Sequence, residues 1–183
     1  MRRWLSFVLF FGFAHSVDGH SSLARPWAVE DLPVVRRLQA PTVVPPIPAG
    51  TSVLRFEQFF RLPVGPRGLE PTPALRALDG KRVRLFGYMV LHDAPQPGVF
   101  LLSPMPVTLA EQADGAVDDL PPAVVTVRLP AVLGGRTPPF VPGILMVEGV
   151  LGVGASEEPD GRRSFVRLQL DWSPAASASG VLQ

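Results

Sequence analysis

Cysteine is absent from the 183-residue chain. Its absence excludes disulfides, thiolate metal sites, cysteine nucleophiles and a lipidated N-terminal cysteine. Charge is also scarce, because only 18% of the residues are charged and the formal net charge is +1. A chain so close to neutral gives no general argument for nucleic acid or an anionic membrane as a partner. Lysine occurs once, at Lys81, and this arginine bias, with many alanines, glycines and prolines, suggests a GC-rich bacterial genome.

The first 24 residues have the pattern of a secretory signal peptide. Arg2 and Arg3 precede an apolar run over residues 4–14, which is short for a membrane span, since a span needs about 20 residues. Small-x-small motifs end at Ser16 and Ala24, so we expect a mature chain that begins between residues 17 and 25. The alternative is an uncleaved signal anchor. Cleavage predicts a periplasmic or secreted bacterial protein without a membrane span.

Residues 25–51 are predicted to be a proline-rich linker. Proline fixes φ and lacks a backbone N–H, so we expect no regular helix or central strand in this stretch. The run Pro45-Pro46-Ile47-Pro48 is typical of a polyproline helix, which is either an extended spacer or a segment docked on an aromatic groove. A single domain is predicted at residues 52–172, and the patternless residues 173–183 are predicted to form a flexible tail.

The domain is predicted to be mainly β, with a short helical segment at its N-terminal end. A valine and three phenylalanines repeat at helical spacing, which predicts a helix over residues 52–61, and Thr72 and Pro73 begin a second, shorter helix. From residue 81 the apolar period becomes two. Five short strands are predicted, at residues 81–89, 99–102, 124–129, 144–151 and 165–170. With one long excursion between the second and third strands, they fit a small OB-like barrel, with bends at Gly87, Gly149 and Gly152.

Four segments of the domain also resemble a known family. They are LPVGPRGLEPTPALRALDGKRVRLFGYMV at residues 62–90, FLLSP at 100–104, DDLPP at 118–122 and DGRRSFVRLQLD at 160–171. Together they resemble exported bacterial proteins related to a broader domain-of-unknown-function family, and the resemblance implies an OB-like barrel. Members of the broader family often carry a Cys-x-His element before the Pro-Pro pair, which implies a metal, and some occur near transport systems for divalent cations. Residues 106–122 contain neither Cys nor His here, so that implication does not extend to this chain.

His92 and Asp93 follow the first predicted strand and form the first candidate site. A carboxylate next to an imidazole can orient it as a base or as a metal ligand. Adjacent strand residues point to opposite faces, however, and the other two histidines lie in or just after the signal segment. A zinc site with several histidines therefore has little support, and a polar turn is the plainer interpretation.

Glu111, Asp114, Asp118 and Asp119 form the chain's densest acidic group. Hard cations bind several carboxylate and carbonyl oxygens, but the spacing matches no EF-hand loop, so a solvated loop is the plainer interpretation. A further alternative is that Asp118 and Asp119 accept backbone hydrogen bonds and latch the loop onto the barrel. We predict no bound metal and no other cofactor.

Any binding is expected at the mouth formed by residues 104–122 and residues 88–93. Long loops on a rigid barrel concentrate binding residues, and Tyr88, the single tyrosine, has a hydroxyl that can reach a partner. The first hypothesis is therefore a non-catalytic binding or accessory module of the cell envelope that serves a transport or envelope complex through a protein partner. The alternative is a metal-dependent or hydrolytic periplasmic enzyme that uses His92, Asp93 and the acidic residues 111–119. Nucleic acid is not an expected partner of an exported, neutral protein.

Overall fold

A computed structural model describes residues 27–32, 34–39, 43–66, 68–109 and 120–170. Within these residues the chain is mainly β, with one large sheet, one two-stranded sheet and very little helix. The strands are β1 Val35–Leu38, β2 Ser52–Val53, β3 Arg82–Met89, β4 Leu91–His92, β5 Val99–Ser103, β6 Thr108–Leu109, β7 Val125–Arg128, β8 Ile144–Glu157 and β9 Arg163–Gln169. The α-helix α1 is Pro73–Ala77, and 3-10 helices lie at Val29–Asp31, Phe56–Gln58 and Ala131–Leu133.

The predicted mainly-β class is confirmed, but the predicted number of five strands is wrong, since the described residues contain nine. The five predicted strands correspond to β3, β5, β7, β8 and β9. The other four have two to four residues each. β1 and β2 lie at the two ends of the large sheet, while β4 and β6 pair with each other. Strands this short have almost no periodicity of their own, so their partners rather than their sequences define them.

The five strands that correspond to the predicted ones pair in a cycle. β3 pairs with β5, and β5 pairs with β7, both antiparallel. β7 pairs with β9 in parallel, β9 with β8 antiparallel, and β8 with β3 antiparallel. Alternate residues of these strands are fully buried in one hydrophobic core, among them Val83, Leu85, Val127, Leu145 and Leu168. The side-chain period of two therefore sends one face of the sheet into this core, while residues of the opposite face, such as Leu101 and Thr126, contribute to the cavities described below.

Two of the three glycines predicted at bends lie where strands approach closely. A Cβ on Gly87 would come within 2.7 Å of the carbonyl oxygen of Ser103, and one on Gly149 would collide with the carbonyl oxygen of Gln169. Only glycine fits such approaches. Gly152 is different, because a Cβ there would lie 3.7 Å from the Arg167 side chain, which is an ordinary contact.

The predicted helix over residues 52–61 is wrong. Residues 52 and 53 form β2, which pairs in parallel with β3, and Phe56–Gln58 form a single 3-10 turn. The backbone N–H of Leu54 donates to the carbonyl of Arg84 at 3.0 Å and holds this part of the chain extended. Because residues i and i+3 also align in a 3-10 turn, Phe56 and Phe59 bury their rings together, with centroids 5.2 Å apart. The second predicted helix is present as α1, where the Thr72 hydroxyl accepts from the backbone N–H of Leu75 at 3.1 Å.

Part of the stretch predicted as a linker contacts the sheet. β1 pairs antiparallel with residues 144–147 of β8. Further along, the carbonyl oxygens of Pro45 and Pro46 accept hydrogen bonds from the side chain of Arg84, at 2.6 and 2.8 Å. We call residues 43–48 the proline strap. A segment rich in proline has few donors of its own, but its carbonyls remain acceptors, and an arginine supplies the donors.

Arg84 is a buried cation, with only 2% of its surface exposed. It lies opposite Glu148 in the β3–β8 register, and its Nε donates to Glu148 Oε1 at 2.6 Å. The two charges are thus neutralised inside the protein, and both terminal nitrogens of the guanidinium reach the strap. Removing two charges from water costs several kcal/mol per ion, which is offset only when every donor finds an acceptor. This pair therefore joins β3, β8 and the proline strap.

Substituting one member of this pair should cost far more stability than substituting both. Glu148→Leu leaves Arg84 as a buried charge without its counter-ion, so we expect a loss of about 3–5 kcal/mol in the free energy of unfolding. The double variant Arg84→Met with Glu148→Leu should recover most of that loss in urea titrations, while the strap, deprived of its donors, becomes sensitive to protease. A double variant less stable than Glu148→Leu alone would contradict this account.

Candidate functional site

An apolar pocket of about 140 Å³ opens where β3 ends and β5 begins. Its walls come from the β3–β5 connection, from β5 and from the link that precedes β8. The lining residues are Met89, Val90, His92, Pro95, Gln96, Val99, Phe100, Leu101, Thr137, Pro138, Pro139, Phe140 and Arg162. Most of them are apolar, and the polar groups are few. Such a pocket suits an apolar group of the size of one amino-acid side chain, since pockets for drug-sized ligands run from about 300 to 1,000 Å³.

Hydrogen bonds fix the pocket walls in place. The backbone N–H of Val90 donates to the carbonyl of Leu101 at 2.9 Å, and the N–H of Gly98 donates to that of Arg136 at 2.8 Å. The link before β8 is also held from the other side, because the N–H of Val141 lies 3.4 Å from the sulfur of Met89. Backbone hydrogen bonds, and not only side-chain packing, therefore hold the walls of the pocket in position.

His92, predicted as a candidate site residue, lines this pocket in β4 and is half-buried. Its Nδ1 accepts a hydrogen bond from the backbone N–H of Ala94 at 3.0 Å. A ring nitrogen that accepts carries no proton, so the neutral imidazole has its proton on Nε2. A carboxylate could therefore pair with this ring only through Nε2–H. The imidazole is thus oriented by the turn backbone.

The other predicted site residues are dispersed or lie outside the described residues. Asp93 is exposed, and its backbone N–H donates to the carbonyl of Leu109 at 3.3 Å. Tyr88 is half-buried in β3, opposite Ser103 and Ile144, and is not among the residues that line the pocket. The predicted acidic group lies outside the described residues, namely Glu111, Asp114, Asp118 and Asp119.

A larger groove of about 650 Å³ lies along β7 and the turn between β8 and β9. One wall is the segment that leads into β7, and the opposite wall is the β8–β9 turn. The lining residues are Leu69, Leu120, Pro121, Pro122, Val124, Thr126, Glu158, Asp160, Gly161, Arg162, Arg163, Ser164 and Phe165. The groove thus contains both apolar walls and several charged side chains, unlike the smaller pocket.

A polar network holds the β8–β9 turn. Glu158 is buried, and its two carboxylate oxygens accept from Arg128 at 3.0 Å and from the Ser164 hydroxyl at 2.5 Å. Arg167 extends the network by donating to the Ser164 hydroxyl at 3.2 Å and to the carbonyl of Gly154 at 2.7 Å. The β8–β9 register shifts between residues 153 and 156, which is a bulge-like irregularity. The network stabilises the strands at this irregularity and so fixes one wall of the groove.

Arg162 lines both the pocket and the groove. Its Nε donates to Asp160 Oδ2 at 2.7 Å, and its backbone N–H donates to Asp160 Oδ1 at 3.1 Å. Burial alone would raise the pKa of Asp160, but the hydrogen bonds from Arg162 and its charge outweigh burial and lower the pKa below the usual 3.8. The two cavities therefore lie next to each other at the ion pair of Arg162 with Asp160, on the β8–β9 turn.

Sequence reasoning missed most of the residues that line these cavities. Asp160 and Gly161 belong to a segment of the family resemblance, but no site was predicted there, and no prediction named Phe140. The one sequence feature that could have indicated the pocket is Phe140, an aromatic residue between prolines. In the structure it is 43% exposed and lines the pocket. The residues next to Arg162 in the sequence do not indicate a site. Arg162 reaches the pocket because the pairing of β8 with β9 places their connecting turn there.

The described residues contain no group of three or more His, Asp or Glu side chains placed to hold a metal ion. Among the same residues, no helix is long and apolar enough to cross a membrane.

Comparison with known proteins identified no matching family model and no matching curated protein. One similar solved structure is the crystal structure of a DUF3299 family protein, PA4066, from Pseudomonas aeruginosa PAO1. The similarity has a TM-score of 0.38 at 16% sequence identity, and it covers 65% of this chain and 91% of that chain. DUF3299 is a domain of unknown function.

Acid should loosen the β8–β9 turn through Asp160. Because its pKa is lowered in the folded protein, the Asp160 carboxylate stabilises the turn above its ordinary pKa of 3.8, and this stabilisation is lost as the pH falls through the lowered value. Hydrogen exchange of residues 157–164 should thus be slower in the wild type than in Asp160→Asn at neutral pH. The difference should shrink as the pH falls below 3.8. A difference that stays constant through that range would show that the Asp160 charge does not hold the turn.

Proposed function

We propose that this protein is an exported, non-catalytic binding module of the bacterial cell envelope, built on a small OB-like barrel. The cycle of five pairings, from β3 through β5, β7, β9 and β8 back to β3, supports the barrel. This order of pairing is the one expected of an OB-fold. Its one parallel pair is β7 with β9, which are the third and the fifth of these five strands along the chain. The short β1 and β2 are then additions at its margins.

The position of the two cavities supports a binding role. OB-folds bind ligands on the face of their second and third strands, between the loop after the first strand and the loop between the fourth and fifth. In this chain the corresponding elements are β5, β7, the β3–β5 connection and the β8–β9 turn, and these elements supply much of the lining of the pocket and groove. This part of the argument is an analogy of fold and names no ligand.

The observation that carries the proposal is the pocket itself. It is apolar, it is formed by hydrogen-bonded backbone, and Phe140 stands partly exposed on it. Its volume of about 140 Å³ fits one side chain of a protein partner better than a whole small-molecule substrate. Buried anchors in such pockets supply most of the binding energy of protein interfaces.

The enzyme alternative loses support at His92. The Nδ1 atom accepts its hydrogen bond from the backbone of Ala94, and no carboxylate among the described residues is bonded to the ring. The remaining part of that hypothesis depends on residues 111–119, which lie outside the described residues.

Capture of envelope partners with matched variants tests the binding role. Phe140→Ser removes a ring that lines the pocket, whereas Val132→Ser changes an exposed apolar residue, 69% exposed, that lines neither cavity. We expect the wild type and Val132→Ser to capture the same envelope protein, and Phe140→Ser to lose at least several-fold of it, as for an anchor residue worth about 1–2 kcal/mol. Equal recovery by all three proteins would contradict a binding role for the pocket.

Export is tested separately by fractionation. We expect a processed chain that begins between residues 17 and 25 in the periplasmic or secreted fraction, identified by mass spectrometry of its N-terminus. An intact N-terminus found only in the cytoplasm would contradict the proposal.

A further inference from the structure

The pocket and the groove have a common wall. Their two sets of lining residues come from different strands and loops, and they share Arg162. Side by side, they make a path that runs from the end of β3, past the β8–β9 turn, to the segment before β7. We call this path the cleft. A ligand that fills both parts must be elongated, with an apolar group at one end and polar groups at the other.

The groove end offers polar groups that the fold itself does not use. Thr126 is only 3% exposed and lines the groove on the outward-facing side of β7. Its backbone pairs with β5 and β9, while its hydroxyl makes no hydrogen bond among the described residues. Glu158 and Asp160 are paired with Arg128 and Arg162. Arg163, in contrast, is exposed on the groove wall and has no ion-pair partner in the part of the chain that the structure describes. The groove therefore presents the Thr126 hydroxyl and the Arg163 guanidinium, which lies opposite Glu157 in the β8–β9 register without forming an ion pair with it.

The charge balance of the groove argues against a polyanion. Glu158 and Asp160 are opposed by Arg162 and Arg163, so the lining side chains carry no net charge. A nucleic acid or an anionic glycan would need an excess of cations along its length. A chain that is neutral along its backbone, and carries one carboxylate to meet Arg163, complements these groups better.

We infer that the cleft binds an extended peptide segment of a partner protein, with an aliphatic side chain in the pocket and an acidic side chain against Arg163. This inference rests on the proposed binding function and specifies its ligand. The pocket walls of Met89, Val90, Pro138 and Phe140 suit an aliphatic side chain, and they offer little to the hydroxyls of a sugar. Thr126 lies where it can hydrogen-bond a peptide N–H or carbonyl between the two anchors, since a hydroxyl serves as donor and acceptor.

Selection from a random decapeptide library against the purified protein tests this inference. We expect the selected peptides to share an aliphatic position and an acidic position at a fixed spacing. In fluorescence-polarisation titrations with one selected peptide, Arg163→Gln should weaken binding about 3- to 10-fold, and the loss should diminish at high salt. Arg76→Gln removes the same charge from an exposed position of α1 outside both cavities and should leave binding unchanged.

Three outcomes would overturn the inference. In the first, selected peptides lose affinity on Phe140→Ser but are indifferent to Arg163→Gln and Thr126→Val, so the groove takes no part while the proposed pocket function survives. In the second, no peptide is selected and a neutral oligosaccharide probe, maltohexaose, binds in a Thr126-dependent way, so the ligand class is wrong. In the third, selected peptides bind with equal affinity to every variant, Phe140→Ser included, so the cleft is not their site and the pocket function fails as well.

Discussion

The buried ion pair between Arg84 and Glu148 is the constraint on which the arrangement of the sheet depends. It lies at the register position where β3 faces β8, with Arg84 only 2% exposed. A buried guanidinium cannot remain unpaired, so β8 must bring Glu148 opposite it and the proline strap must bring its carbonyls to the remaining N–H groups. A one-residue slip of β8 would break the bond between Arg84 and Glu148 and turn the apolar residues of β8 away from the core. The ion pair thus fixes the register of β8 against β3.

The cleft follows from that register. β8 pairs with β3 up to Val150 and with β9 from Val150 onward. The two partners therefore meet beside Gly149, where a side chain would collide with the carbonyl of Gln169. The β8–β9 turn is then carried over the face of β7, where Glu158 binds Arg128 and Ser164. The position of Arg162 between the two cavities therefore depends on the β3–β8 register, on the β8–β9 pairing and on the hydrogen bonds of Glu158.

The apolar patterns of the sequence predicted five strands, and the period of two is clearest in β3, β8 and β9, which have 8, 14 and 7 residues. The same rule failed for β8 beyond residue 151, where Gly152 and Gly154 interrupt the apolar pattern although the strand continues to Glu157. It also failed at residues 52–61, where phenylalanines three apart belong to a 3-10 turn. His92 was predicted as a candidate because it is a polar residue that follows a strand, and it lines the pocket. Phe140, Arg162 and Thr126 were not, because only pairings between distant segments bring them to one cleft.

The most direct test of the central claim, that this face of the sheet binds a protein, is photo-crosslinking in living cells. A photoreactive phenylalanine analogue would replace Phe140 on the pocket, Arg163 on the groove or Val132 outside both. The account predicts that the first two positions crosslink to the same envelope protein, at peptide segments a few residues apart in that partner, and that position 132 yields no such product. Crosslinks from position 132 alone, or from all three positions to unrelated proteins, would contradict it.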